Sequence, residues 1–149
     1  MSIRPRNEIL SAAPPAYHLI TTVTYRRHGL LASTNRTGSP VSSIGEIVAT
    51  AWELIPTHRP WISLGVSVVM PDHFHGILHW TEVPPGRAGA LSRVVGGFKA
   101  EATRLARASG DLGPEERLWQ KGFDVRFLTS PRRLATAEAY IRDNPFRSP

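Results

Sequence analysis

The sequence predicts an α+β domain: one four-stranded antiparallel sheet, two helices on one face, and a trailing helix that carries a tyrosine. Three observations predict it. Hydrophobic spacing switches between a period of two and helical spacing in the order strand, helix, strand, strand, helix, strand, helix. Two apolar runs lie back to back across Pro71-Asp72, and proline cannot donate to a central ladder, so the runs should form an antiparallel hairpin. The chain has 149 residues, 41% of them hydrophobic, which suits one core rather than two domains.

Taken in order, residues 1–16 are polar and proline-containing and read as a loose leader, leaving 17–149 as the domain. Tyr17 to Tyr25 is dense in β-branched and aromatic residues and reads as the first strand. It runs into the basic cluster Arg26-Arg27-His28. Val41 to Ile55 places Val41, Ile44, Ile47, Val48, Ala51, Leu54 and Ile55 at helical spacing. Ser39-Pro40 offers a cap followed by proline at the first helical position, and Ser43 with Glu46 offers a capping box instead. Pro56 should stop this helix. Trp61 to Met70 and His73 to Trp80 are the hairpin strands. Leu91 to Ala108 is the second helix, with Gly96-Gly97 inside it at a cost of about 1 kcal/mol per glycine, so a close approach is expected there. A fourth strand starts near Phe123. Ser130-Pro131 then opens a last helix, which must end near Asp143 because Pro145 disfavours helical geometry at Asn144. The first six elements spell the ferredoxin-like split β-α-β pattern, for which the strand order is 4-1-3-2.

Alternation along the third strand puts His73 and His75 on one face and Phe74 on the other, packed beneath. Two imidazoles side by side on a rigid strand are half of a divalent-metal site; the competing reading is a pair of ordinary half-buried histidines. His79 shares their face and reads as a fourth ligand or, more simply, as a structural histidine. Tyr140 is one of three tyrosines, and Asn144 follows it by about one helical turn. A last helix folded over the open sheet face brings Tyr140 above the histidine pair. Asn144 then offers an amide oxygen as third ligand, a set that suits Mg2+ or Mn2+. Tyr140 would be the nucleophile toward a phosphodiester; the alternative is a helix residue with its hydroxyl at the surface.

Net charge is +6, from 18 lysines and arginines against 12 acids, and all but Lys99 and Lys121 of the basic residues are arginine. Arginine's planar fork suits phosphate, so the charge points to a nucleic-acid partner. A GC-rich coding sequence gives the same excess, so charge alone does not select one. Arg26, Arg27, Lys99, Arg132 and Arg133, at element ends or on an exposed helix, are the candidate phosphate contacts. With no cysteine, disulfides, thiolate zinc sites and cysteine nucleophiles are excluded. No signal peptide or membrane-length apolar run is visible, so a cytoplasmic, nucleoid-associated protein without a membrane partner is expected.

Four ordered motifs resemble the HUH single-tyrosine transposases, in particular the REP-associated tyrosine transposases and their IS200-like relatives. They are Thr22-Val23-Thr24-Tyr25-Arg26-Arg27, Met70-Pro71-Asp72-His73-Phe74-His75, Trp119-Gln120-Lys121-Gly122-Phe123 and Tyr140-Ile141-Arg142-Asp143-Asn144-Pro145. The helix from Leu91 to Ala100 also looks like the family's second helix, so the likeness covers roughly residues 17 to 147. The resemblance implies a metal-dependent single-stranded DNA transesterase, acting as monomer or homodimer, often beside a hairpin. It implies that His73, His75 and Asn144 hold the ion and that Tyr140 forms a 5′-phosphotyrosine. This chain departs from the pattern at Asp72, where the family usually has Asn, and at Asp124-Val125-Arg126, where it usually has Tyr-Asp-His. Two other readings use the same fold: a single-stranded nucleic-acid-binding module without catalysis, and a hydrolytic metal-dependent nuclease.

Overall fold

The computed structural model describes residues 16–32, 41–86 and 88–143. Strand β1 (Ala16–Val23) is followed by a 3-10 turn (Tyr25–Arg27) and helix α1 (Ser43–Glu53), which a one-turn helical segment (Ile55–His58) extends. Then come β2 (Ile62–Val69), β3 (His73–Trp80), α2 (Ala90–Ala108), β4 (Asp124–Leu128) and α3 (Pro131–Arg142). All sheet pairs are antiparallel, in the order β2-β3-β1-β4. That is the predicted fold class and strand order.

The differences lie at element ends. Ala16 already belongs to β1, and residues 1–15 of the expected leader lie outside the described residues. β1 stops at Val23 rather than Tyr25, because Arg26 and Arg27 turn the chain with φ of 54° and 55°. The cap of α1 is neither Ser43 nor Ser39, which lies outside the described residues. It is Ser42, whose Oγ accepts from the Gly45 N–H at 3.0 Å and donates to the Leu30 carbonyl at 2.6 Å. Proline is tolerated in a first helical turn, and Pro56 accordingly sits in the one-turn segment after α1 has ended at Glu53. α3 begins as expected: Ser130 Oγ accepts from the Arg133 N–H at 3.1 Å, ahead of Pro131.

Helices α1 and α2 cover one sheet face. Their buried residues Val48, Trp52, Val94 and Phe98 pack on Ile20, Phe74, Leu78 and Trp80 in the main core. The expected close approach at Gly96-Gly97 is not found: a Cβ built at Gly97 would meet the Arg59 guanidinium at 3.4 Å, an ordinary contact, and one at Gly96 would meet nothing within 4 Å. Helix α3 crosses the other face, where Ala137 and Ile141 pack on Val68 and Ile77. This second, smaller core is what holds α3 above β3. Among the described residues no helix is long and apolar enough to cross a membrane.

Two features of the main core yield predictions. A Cβ at Gly76 would be driven into the indole of Trp52, which is 2% exposed and cannot yield. Gly76→Ala is therefore expected to destabilise the fold by about 2–3 kcal/mol in urea titration, the overpacking range. His18 is fully buried between the rings of Trp80 and Phe127, at 4.7 and 5.4 Å between centroids. Burial pushes its pKa from 6.5 down to about 4. The unfolded chain thus takes up a proton first as pH falls. The contribution is complete above pH 6.5 and is lost as pH drops toward about 4. Most of about 3 kcal/mol should disappear over that window, and His18→Leu should flatten that part of the profile.

Candidate active site on the open sheet face

Strand alternation builds the centre. On β3, Phe74, Gly76, Leu78 and Trp80 are buried beneath α1 and α2, so His73, His75, Ile77 and His79 face the other way. The Met70 N–H donates to the His73 carbonyl at 2.8 Å, closing the hairpin around Pro71-Asp72 and fixing where this face begins. The Nε2 atoms of His73 and His75 converge to 3.1 Å. Behind them, the His73 Nδ1–H donates to Asp72 Oδ1 at 2.7 Å, and Thr21 Oγ1, from the facing position on β1, lies 2.8 Å from His75 Nδ1. Each ring is thus held from its far side, the usual arrangement behind a metal-binding histidine.

This geometry fits a divalent ion. Two nitrogen ligands about 2.1 Å from a metal and at right angles lie about 3.0 Å apart. Two bare imidazole nitrogens at the observed spacing repel each other unless a proton or cation sits between them. Burial first, then His73 and Arg126, push the pKa of His75 down to about 4, with Asp124 opposing, so its ring is neutral at physiological pH. Neutral imidazole is the form that ligates. Burial raises the Asp72 carboxyl, but its hydrogen bond to His73 and the nearby Arg27 outweigh that and hold it below its ordinary value.

Tyr140 reaches this centre from α3. Leu134, Ala137 and Ile141 form the stripe that packs on the sheet. Tyr140 lies one residue, about 100° of helix rotation, off that stripe. Its ring centroid is 5.6 Å from that of His75 in the same chain, and the residue is 57% exposed. Between α3 and β4 runs a cleft of about 820 Å³, lined among others by Thr21, His75, Arg126, Arg132, Arg133 and Tyr140.

Asn144 lies outside the described residues. Among those described, no group of three or more His, Asp or Glu side chains could hold a metal. His79 stands apart from the pair and stacks on Tyr17, with centroids 4.1 Å apart. It lies four positions along the strand from His75, about 13 Å. Phe74 is fully buried under the site. Arg132 and Arg133 line the cleft. Arg27 instead pairs with Asp72, Nε to Oδ2 at 3.2 Å, and Arg26 lies over the Tyr25 ring, 5.1 Å from its centroid. Lys99 is committed elsewhere: its ammonium donates to the carbonyls of Gln120 and Gly122 at 2.9 and 2.7 Å, tying α2 to the Trp119–Phe123 loop.

Thr21 and Arg126 were not among the candidates from sequence. Arg126 pairs with Leu19 and Asp124 with Thr21, so β4 lays both charged side chains on the open face beside His75. Period two within β4 hints at their common face, but which face it is depends on register with β1.

No family model matches the chain. An uncharacterized protein of Haemophilus influenzae is 25% identical over 122 residues, covering 70% of this chain. The match spans 66% of that relative's length, just under two thirds. A solved REP-associated tyrosine transposase bound to a REP hairpin superposes with a TM-score of 0.62 at 19% identity, covering 97% of this chain and 73% of that one. A crystal structure of a candidate transposase from Deinococcus radiodurans R1 gives 0.60 at 20% identity, covering 96% and 97%. The chain shares the fold of both.

Proposed function

We propose that this chain, on a fold shared with tyrosine transposases, cuts and rejoins single-stranded DNA through Tyr140. The observation that carries the reading is the packing of the Tyr140 ring against His75 of its own chain, beside two converging imidazole nitrogens. One chain thus holds both halves of the site. Arg126, Arg132 and Arg133 bind and orient the phosphodiester in the cleft. The Tyr140 oxygen forms a bond to phosphorus as the 3′ oxygen of the preceding nucleotide leaves. The phenol loses a proton and the departing oxygen gains one, giving a 5′-phosphotyrosine and a 3′-hydroxyl. The phosphoester energy is kept for rejoining, which hydrolysis would discard. A divalent ion, Mg2+ or Mn2+, bound by His73, His75 and Asn144 would neutralise charge on the phosphoryl oxygens. A hairpin beside the cut strand is the expected DNA partner, as in the structural neighbour bound to a REP hairpin.

The test is incubation of the protein with single-stranded oligonucleotides that carry a hairpin, in Mn2+, followed by denaturing electrophoresis. A covalent protein–DNA band is expected. Tight binding with no band from any substrate would favour a binding module instead.

A further inference from the structure

Asp72 stands where the resembled family has Asn, and its carboxylate is gripped from both sides. Oδ1 accepts from the His73 Nδ1–H at 2.7 Å, and Oδ2 faces Arg27 Nε at 3.2 Å. Arg27 reaches it from a turn in which two consecutive non-glycine residues hold left-handed φ, 54° and 55°. L-residues seldom occupy that region, and strain of this kind persists only where surrounding structure enforces it. Here the enforcement is visible. The Arg27 N–H donates to the Thr24 carbonyl at 2.9 Å and the His28 N–H to the Tyr25 carbonyl at 3.1 Å. The buried Thr24 hydroxyl donates to the His28 carbonyl at 2.6 Å. The turn is docked onto the hairpin itself: the Thr24 N–H donates to the Asp72 carbonyl at 2.9 Å, and the Leu31 N–H to the Pro71 carbonyl at 3.0 Å.

We infer that Arg27 and Asp72 are positioning residues for His73: Arg27 clamps the Asp72 carboxylate, which fixes the His73 ring as its Nδ1–H tautomer and presents a bare Nε2 toward His75. The inference rests on the reading of the histidine pair as a divalent-metal site. Asp72 supplies the orientation and Arg27 offsets its negative charge. Arg27 therefore serves the site before any DNA arrives. This differs from a phosphate contact, whose effect would show only with DNA present.

Two readouts on the full chain test this. The first is the ring 15N spectrum of the metal-free, histidine-labelled protein, with His73 assigned by its loss in His73→Ala. Wild type should show the Nδ1–H pattern, and Asp72→Ala should show mixed tautomers. The second is Mn2+ affinity by calorimetry without DNA. Asp72→Ala should lose about 10- to 100-fold, as for second-layer partners of other metal histidines. Asp72→Asn, which keeps an acceptor oxygen, should recover most of the loss, and Arg27→Gln should weaken binding several-fold. An Asp72→Ala protein with the wild-type ring pattern would overturn the inference. Wild-type readouts in Arg27→Gln would remove Arg27 from it. If wild type bound no Mn2+, the metal reading would fail, while the ring spectrum would still decide the Asp72–His73 part.

Discussion

Tyr140→Phe is expected to bind single-stranded DNA as wild type does and to yield no covalent adduct, a drop in cleavage of at least about 1,000-fold, or some 4 kcal/mol in barrier. The substitution removes only the oxygen that would bond to phosphorus. The ring stays against His75 and the stripe Leu134, Ala137 and Ile141 still seats α3 on the sheet. Because Tyr140 is 57% exposed, its hydroxyl contributes little to stability, and the variant should melt within about 0.5 kcal/mol of wild type. Lost activity is then a chemical effect rather than a folding effect. A nuclease that activates water would behave differently: cleavage would survive Tyr140→Phe and the product would carry no protein. Denaturing gels of the two proteins on one labelled strand separate these outcomes.

Much of the fold was legible because the two central strands, β1 and β3, each bury one face along their length. In β3 the alternation of Phe74, Gly76, Leu78 and Trp80 with the histidines set both the boundaries and the face, and Pro71 set the hairpin. Helix α3 announced its own start through Ser130-Pro131. The turn after β1 was not legible, since arginine has no intrinsic preference for left-handed φ and only the docking of residues 24–31 on Pro71-Asp72 enforces it. The site divides in the same way. Local pattern put His73 and His75 together. The cleft arginine Arg126 needed the β1–β4 register, which is a non-local fact. Lys99 on an exposed helix looked free, and its engagement by carbonyls 21 and 23 residues away is tertiary.

His73→Ala and His75→Ala should each lower Mn2+ affinity at least about 100-fold in calorimetry, the scale expected when one of few ligands is lost. The two should also be non-additive, because a single imidazole on this face has no chelating partner. Far-UV circular dichroism should stay native. Both rings are only partly buried, and the strand is held by its ladder and by Phe74 and Ile77 rather than by the histidines. His75→Ala costs no buried charge at neutral pH, since burial first, then His73 and Arg126, disfavour the charged form and that ring is already neutral there. Native stability together with a loss of metal is what a binding group held for function produces. If these histidines were merely structural, the same substitutions would destabilise the sheet and leave Mn2+ affinity where it was. Thr21→Val gives an independent control, because it keeps the shape of β1 while removing the hydroxyl behind His75 Nδ1. It should weaken Mn2+ binding by about 10-fold without touching either ligand.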